Sequence, residues 1–272
     1  MERKSKMKQV VKKLWMVLMV GLLILVNGVT VSAKELIIGF DDTFAPFGFR
    51  AELFDGVESD DEFTGLDVEL TKEIFTRMDI DYRFQPIDWA MKETELETGQ
   101  IDAIWNGYSV TPEREEKLAL SIPYMKNRQA IIVKKDSDIQ TKDDLVGKVV
   151  ATQAESSSYE ALMKDDTLIN EIDGGAPVTY STFVEVFSDL DTGRADAIVI
   201  DDTMGLYYLS QTGKSQEYRL LDDDFGVEDF AVGFRKDEQE FVDEFNKTLQ
   251  EVLDDGTFDK IYEKWFGAKE AN

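Results

Sequence analysis

The 272-residue sequence contains no Cys and no His. Without Cys the chain can form no disulfide, no thiolate metal site, no Cys nucleophile and no thioether-linked lipid anchor. Without His it lacks the side chain that proteins use most often as a general base and as a metal ligand near neutral pH. We therefore expect neither a metal site nor a cofactor, and these absences argue against much of ordinary enzyme chemistry.

Positive charge is also scarce, with 30 Lys and Arg against 56 Asp and Glu and a net charge of −26. Such a chain is repelled by nucleic-acid phosphates and cannot dock on anionic lipid through a basic patch, so we expect no nucleic-acid partner. The hydrophobic fraction of 43% is nevertheless that of a folded soluble protein. The length suits one large domain or two of moderate size.

The first 33 residues show the three parts of a secretory signal peptide. Residues 1–13 are basic, residues 14–26 are apolar apart from Gly21, and residues 31–33 (VSA) place small side chains at a cleavage site. The apolar run is shorter than the ~20 residues that a spanning helix prefers. We predict an exported protein, cleaved after Ala33, in the periplasm or on the outer face of the cell membrane; an uncleaved membrane anchor is the alternative.

The rest of the chain alternates between extended and helical patterns. Residues 35–40 and 81–87 have the composition of strands, whereas residues 44–49 (FAPFGF) contain Pro and Gly and are expected to form a loop. Between them lies an amphipathic helix. Its apolar face is formed by Leu66, Leu70, Ile74 and Met78. Strand, helix and strand in this order favour an α/β fold.

One segment of the sequence occurs twice. Residues 95–105 (ELETGQIDAIW) and 189–199 (DLDTGRADAIV) share six residues in register at an offset of 94 positions. Each copy predicts a helix end, a Gly in the left-handed cap conformation and then a strand. Two such units favour two α/β lobes built alike. Residues 106–114 and 201–203 should then lie past the carboxyl ends of strands, where open α/β sheets bind ligands.

Four side chains are candidates for binding chemistry. Arg114 could grip a carboxylate with its planar fork, or pair with a neighbouring glutamate on the surface. Asp201 could accept an ammonium group, or cap a turn. Phe44 and Trp89 could wall a pocket, or belong to the core.

A helix start is expected at residues 156–158 (SSS). Ser157 and Glu160 have the spacing of a capping box, and the free N–H groups of a helix start suit a carboxylate.

After residue 33 the chain resembles, over nearly its whole length, the solute-binding proteins of polar amino-acid ABC transporters. Each shared motif is modest alone, but their order and separations are highly specific. They are residues 44–47 (FAPF), 65–67 (GLD), 99–103 (GQIDA), 110–114 (VTPER), 121–124 (SIPY), 193–197 (GRADA) and 256–267 (GTFDKIYEKWFG).

The resemblance implies a two-lobed α/β fold of the periplasmic-binding-protein type, in which each lobe is a mixed sheet flanked by helices. Residues 34–126 and 229–272 would form lobe one, and residues 127–228 lobe two. A two-crossing hinge would join them and let them close on the ligand.

The resemblance also implies the ligand-binding residues. Arg114 would bind the α-carboxylate of an amino acid, and Asp201, on the other lobe, its α-ammonium group. The other contacts would come from Gly107 and Ser109 to the α-groups, Ser156 to the carboxylate, Phe44 and Trp89 around the aliphatic part, and Asp41 and Gln153 at the side chain.

The identity of the amino acid stays open at this point. Asp41 and Glu155 favour lysine, arginine or ornithine, Gln153 suits glutamine equally, and cystine is a further candidate. Glu155 also departs from the family, whose members usually have Gly or Ser there.

We therefore expect a monomeric, exported receptor that delivers a polar amino acid to the membrane permease of an ABC importer and catalyses no reaction. The alternative is an enzyme on the same fold, dehydratase-like, that acts on a carboxylated small molecule with a pocket Asp or Glu as general acid or base. The absence of His and the complete amino-acid clamp favour the receptor.

Overall fold

The structure is a computed structural model that describes residues 35–57, 59 and 61–267. The predicted signal peptide, residues 1–33, lies outside the described residues. None of the helices in the described ranges is long and apolar enough to cross a membrane.

Most strands belong to one mixed sheet. In the order of their hydrogen bonding they are β10 (Val178–Tyr180), β9 (Val150–Gln153), β11 (Ala197–Asp201), β8 (Met125–Lys134), β12 (Tyr218–Arg235), β6 (Ala103–Ser109), β1 (Leu36–Phe40) and β5 (Tyr82–Pro86). Another strand, β7 (Leu118–Leu120), pairs with β12. The predicted strands at residues 35–40 and 81–87 are thus β1 and β5.

Two long strands join the sheet's two halves. β1 is parallel to β5 and β6, and β9 is parallel to β10 and β11, but β8 and β12 run antiparallel to their neighbours. β8 and β12 pair with each other from Tyr218↔Lys134 to Phe230↔Met125. We call β1 and β5–β7 with the elements packed on them the first half, and β8–β11 with theirs the second half; β12 spans both.

Helices flank both halves. In chain order they are α1 (Leu66–Met78), α2 (Lys92–Glu97), α3 (Pro112–Lys117), α4 (Ser157–Lys164), α5 (Asp166–Ile169), α6 (Phe183–Thr192), α7 (Asp202–Gln211), α8 (Gln239–Asp254) and α9 (Thr257–Phe266). Short 3-10 turns occur at Ala51–Leu53, Trp89–Met91, Lys142–Leu145 and Asp173–Gly175. Helices α1–α3, α8 and α9 belong to the first half, and α4–α7 to the second.

The helix α1 lies where the amphipathic pattern of the sequence predicted it. Leu66, Leu70 and Ile74 are fully buried and join a core that also contains residues of β1, β6 and α8. The apolar face is buried because removing it from water is the main favourable term in packing a helix on a sheet.

Both copies of the repeated segment also have the predicted structure. Gly99 (φ 74°) follows α2 and Gly193 (φ 72°) follows α6, both in the left-handed conformation that Gly adopts at low cost. β6 and β11 come next in the chain, so each repeated segment leads into a strand, one in each half.

The loop predicted at residues 44–49 is shorter than expected, because only residues 45–47 form a turn. β2 (Thr43–Phe44) pairs with β3 (Gly48–Arg50), which pairs with β4 (Phe63–Thr64), and the three strands form a separate small sheet. Phe47 and Phe49 are fully buried. Phe44, Gly48 and Phe49 are extended because strand pairing satisfies their backbone polar groups, whereas Pro46 and Phe47 stay in the turn.

Candidate functional site

Arg114 lies on α3 and faces the second half. Thr111 caps this helix, accepting the N–H of Arg114 at 3.3 Å. The Arg114 side chain is only 4% exposed, Nη1 donates to the carbonyl of Ser109 at 2.9 Å, and the guanidinium lies 4.2 Å from the centre of the Tyr108 ring. These contacts fix the plane of the guanidinium, as a fork-shaped clamp requires.

Two protein carboxylates also approach Arg114. Nη2 donates to Oε1 of Glu160, on α4 of the second half, at 3.0 Å, and Nε lies 3.7 Å from Oε1 of Glu93. Nε is buried and has no hydrogen-bond partner among the described residues. A cavity of about 170 Å³ beside it is lined by Lys92, Glu93, Glu113, Arg114, Lys117, Leu118, Glu155 and Glu160. Arg114 therefore retains donor capacity for a further carboxylate.

Lys92 makes a second link between the halves. This buried side chain donates from Nζ to the carbonyl of Glu155 at 2.7 Å, pairs with Glu93 at 3.0 Å and lies 5.2 Å from the centre of the Trp89 ring. Burial, and then the charge of Arg114, lower the pKa of Lys92. The side chain of Glu155 is exposed, and its backbone is left-handed (φ 52°).

Gly107 and Ser109 lie within β6 rather than after it, which corrects the expected strand boundary. Gly107 has φ 59°, and a Cβ there would lie 2.8 Å from the Phe44 ring, so the position requires glycine. Its N–H donates to Oδ2 of Asp67 at 2.7 Å, and the Tyr124 hydroxyl donates to the same oxygen at 2.9 Å. Burial raises the pKa of Asp67 to about 7. Asp67 thus anchors the strand that carries Ser109.

Asp201 ends β11 in the second half and is 4% exposed. Its Oδ1 accepts from the amides of Asn127 and Gln129, the latter at 2.9 Å. Burial, and then the negative charge of Glu228, raise the pKa of Asp201 well above its usual range. Neutral donors therefore surround this carboxylate, and a second carboxylate lies nearby.

Glu228, on β12, is that second carboxylate. Its Oε1 accepts from Ser109 Oγ of the first half at 2.6 Å. It also accepts from Asn127 Nδ2 at 2.9 Å, Gln129 Nε2 at 2.6 Å and Ser157 Oγ at 3.3 Å. Glu228 therefore contacts both halves where β12 passes from one to the other.

Asp41 and Gln153 meet across the halves. Asp41 directly follows β1, Gln153 ends β9, and Gln153 Nε2 donates to Asp41 Oδ2 at 2.7 Å. The other oxygen, Oδ1, accepts from the backbone N–H and the hydroxyl of Thr43 at 2.9 and 2.6 Å. Burial raises the pKa of Asp41. Its hydrogen bonds come from neutral groups, as at Asp201.

The two predicted wall residues are both nearly buried. Phe44 stacks on Phe47 and lies 5.9 Å, centre to centre, from Phe183 of the second half. Trp89 packs edge-on against Tyr108 at 6.1 Å. Each ring thus belongs to an aromatic cluster of the first half, and Phe44 also reaches across to the second.

Ser156 is the N-cap of α4. Its hydroxyl accepts from the N–H of Tyr159 at 3.2 Å and donates to the carbonyl of Gln153 at 2.8 Å. The capping box predicted for Ser157 and Glu160 is therefore wrong by one residue. Ser157 opens the helix instead, and its hydroxyl lies 2.9 Å from Ser109 Oγ.

These contacts form a continuous chain of polar groups. Arg114 meets the carbonyl of Ser109, the hydroxyl of Ser109 meets Glu228, and Gln129 joins Glu228 to Asp201. One end of the chain is cationic and the other is anionic. A small molecule with a carboxylate and an ammonium group matches that order of charges.

Comparison with known proteins identifies the class. The sequence matches the bacterial extracellular solute-binding proteins, family 3, over residues 36–268, and the chain belongs to this family. It is 30% identical to the arginine-binding extracellular protein ArtP of Bacillus subtilis (strain 168), over 86% of either chain. It is 31% identical to the lysine/arginine/ornithine-binding periplasmic protein of Escherichia coli (strain K12), over 92% of this chain and 94% of that protein.

A solved structure agrees with these relatives. The substrate-binding protein of an ABC uptake transporter from Streptococcus pneumoniae, with bound histidine, matches with a TM-score of 0.81 at 39% identity, over 89% of this chain and 96% of that one. The predicted resemblance and the mixed α/β, two-lobed fold are confirmed. These relatives are named as binding proteins and not as enzymes.

The structure assembles more residues than the sequence indicated. Asn127, Gln129, Ser157, Glu160 and Glu228 all contact predicted site residues. Ser157 could have been found from the sequence, because it stands at a predicted helix start. Glu228 could not, since only the pairing of β12 with β8 brings it opposite Asn127.

Proposed function

We propose that this protein captures a cationic L-amino acid between its two halves and delivers it to the membrane permease of an ABC importer. The observation that carries the proposal is the chain of polar groups from Arg114, in the first half, to Asp201, in the second. A zwitterion placed along this chain contacts both halves at once.

The α-groups of the ligand are assigned to opposite ends. Arg114 binds the carboxylate through Nε, which has no hydrogen-bond partner among the described residues. Asp201 binds the ammonium group, with Ser109 and the carbonyl of Gly107 as further acceptors. Both charged ends are buried, where an ion pair is screened little by solvent.

The side chain of the ligand is assigned to Asp41. This carboxylate is buried and hydrogen-bonded only by neutral groups in the described ranges, so a cationic side chain would supply the missing charge. The relatives named for arginine, for lysine, arginine and ornithine, and for histidine bind amino acids of this type. Phe44 and Trp89 would pack around the aliphatic part.

The halves are proposed to act as lobes, residues 34–126 with 229–272 and residues 127–228. Support comes from β8 and β12, which cross from one half to the other near residues 125–128 and 226–229. The contacts of Arg114 with Glu160 and of Asp41 with Gln153 exist only when the lobes are closed. A ligand that adds contacts to both lobes therefore shifts the population towards closure.

The remaining parts of the proposal concern the protein's setting. It acts outside the cytoplasm after cleavage behind Ala33, as a monomer, and catalyses no reaction. The basic and then apolar N-terminal sequence supports export, and the binding proteins among its relatives support a receptor over the dehydratase-like enzyme.

Calorimetric titration with arginine, lysine, histidine, glutamine and leucine tests this function. A buried polar group left unpaired costs about 1–3 kcal/mol, so leucine should bind roughly tenfold or more weakly than a cationic amino acid. Asp41→Asn should remove the preference for a cationic side chain over glutamine, whereas Asp173→Asn, at an exposed aspartate, should not. Leucine binding as tight as that of arginine, lysine and histidine would overturn the assignment.

A further inference from the structure

A buried carboxylate, Asp201, and a partly buried one, Glu228, meet at one end of the site without a protein cation. Asp201 and Glu228 share the amide nitrogens of Asn127 and Gln129. The basic side chains nearby in sequence are engaged elsewhere: Lys126 pairs with Asp229, and Arg128 with Asp202 and Asp224. Within the described part of the chain, neither Asp201 nor Glu228 forms an ion pair.

Such an arrangement is unfavourable by itself. Like charges repel each other where solvent is partly excluded, and amide donors offset only part of the cost of removing the Asp201 carboxylate from water. Oδ1 of Asn127 adds a third acceptor, because it is buried and has no partner among the described residues. The cluster thus offers acceptors in excess and lacks a positively charged donor.

We propose that Glu228 is a second anionic ligand of the amino acid's α-ammonium group, which lies between Asp201 and Glu228. This inference rests on the proposed function and adds one residue to it. An ammonium group has three N–H donors, and Asp201, Glu228 and a first-half acceptor such as Ser109 can take one each.

The position of Glu228 gives this contact a second consequence. Asp201 belongs to the second half, whereas Glu228 lies on the strand that joins the halves and accepts from Ser109 of the first half. An ammonium group held by both carboxylates therefore ties the second half to the joining strand and to Ser109. Recognition of the α-amino group and closure depend on the same atoms.

The test compares ligands with and without the ammonium group. The pairs are L-arginine with 5-guanidinopentanoate, L-histidine with imidazolepropionate and L-lysine with 6-aminohexanoate. Calorimetry uses the pair whose amino acid binds the wild-type protein most tightly. Glu228→Gln keeps an acceptor oxygen for Ser109, Asn127 and Gln129 but removes the charge, so the fold should persist, and circular dichroism checks that it does.

Glu228→Gln should weaken binding of the amino acid about tenfold to a hundredfold, because a hydrogen bond to a charged group becomes one to a neutral group. Binding of the deaminated analogue should change by less than about twofold, since it lacks the group that Glu228 contacts. Glu171→Gln, at an exposed glutamate, makes the same change in net charge and should alter neither affinity.

Two other results would distinguish an error in this inference from an error in the proposed function. If Glu228→Gln changes both affinities by the same factor, or changes neither, Glu228 does not contact the ammonium group and this inference is overturned while the proposed function stands. If the wild-type protein binds none of the three amino acids, the proposed function itself is wrong.

Discussion

The two charged ends of the site are built differently. At the carboxylate end, Arg114 has Glu160 at 3.0 Å and Glu93 at 3.7 Å, so protein groups already neutralise the cation. At the ammonium end, Asp201 and Glu228 have amide and hydroxyl donors in the described structure and no ion pair. Arg114 is therefore electrostatically compensated without a ligand, whereas Asp201 and Glu228 lack a compensating cation.

This difference in charge compensation implies that the two ends contribute differently to ligand binding. In the proposed complex the ligand carboxylate is added at Nε of Arg114, beside Glu160 and Glu93, so repulsion from these two carboxylates offsets part of the attraction to Arg114. If the ligand's ammonium group binds Asp201 and Glu228 as proposed, it supplies the cation that these carboxylates lack and is a net source of binding free energy. The variants below test this comparison, in order of expected effect.

Arg114→Ala should have the largest effect. Removing one partner of a buried charge pair costs about 2–5 kcal/mol, so affinity for the amino acid should fall about 30-fold to several thousand-fold. Arg114→Lys should restore only part of it, because an ammonium group cannot reproduce the fork. Calorimetry measures both, with the exposed Lys247→Ala, away from the cavity, as the control. Normal binding by folded Arg114→Ala would show that the carboxylate end is elsewhere.

Asp67→Asn tests a buried carboxylate that anchors the site without facing the ligand's charges. The pKa of Asp67 is about 7 in the folded protein, against about 3.9 when unfolded. At pH values between these two pKa values, the folded state binds more protons than the unfolded state does. The free energy of unfolding should therefore fall as pH rises from about 4 to 7, by at most about 1.4 kcal/mol per pH unit, with none of this contribution left above pH 7.

Urea unfolding of the wild type and of Asp67→Asn from pH 4.5 to 7.5 measures this term. The variant should lose that part of the slope, because its side chain does not titrate. Asp173→Asn, at an exposed aspartate, should keep the wild-type slope. Parallel curves for the wild type and Asp67→Asn would refute the assignment.

Glu160→Gln should have a smaller effect of opposite sign to that of Glu228→Gln. Glu160 places a negative charge beside the position assigned to the ligand carboxylate, and the repulsion at a partly exposed position is on the order of 1 kcal/mol. Removing it should tighten binding about threefold to tenfold. Arg114 remains held by the carbonyl of Ser109 and the ring of Tyr108. Calorimetry that shows weaker binding instead would mean that Glu160 positions Arg114.

Much of the fold was predictable because it follows from local patterns. The helix face of Leu66, Leu70 and Ile74 and the Gly caps at Gly99 and Gly193 depend on nearby residues, which the sequence displays directly. The small sheet of β2–β4 was missed because its strands are short and because β3 pairs with β4, a partner from a later part of the chain that the local turn signal does not reveal.

The site was predictable to a different extent. Arg114 stands in a motif shared with the family, and the resemblance over the whole chain implied Asp41 and Asp201. The structure places each of the three in a buried, hydrogen-bonded setting. Glu160 and Glu228 were not predicted as site residues, because their partners are 46 to 119 residues away and become neighbours only in the folded structure. Contacts between distant segments carry no local signal.

Tyr207→Ala should have the smallest effect and should not discriminate between the two ends. Tyr207, on α7 of the second half, contacts the rings of Phe54 at 6.0 Å, Phe49 at 6.2 Å and Trp265 at 6.5 Å, centre to centre, all in the first half. Aromatic pairs contribute about 0.5–1.5 kcal/mol, and these contacts form only when the halves are closed. Their loss should lower the affinity for every ligand by the same factor, about twofold to tenfold, because it reduces the population of the closed state that all ligands require.

Calorimetry with the amino acid and its deaminated analogue measures the loss of affinity for each ligand, and small-angle scattering should show that the ligand-free Tyr207→Ala protein is more expanded than the wild type. The control is Leu206→Ala in the same helix, at a side chain that is 53% exposed. A loss of affinity confined to the ligand that carries the ammonium group would instead place Tyr207 with Asp201 and Glu228.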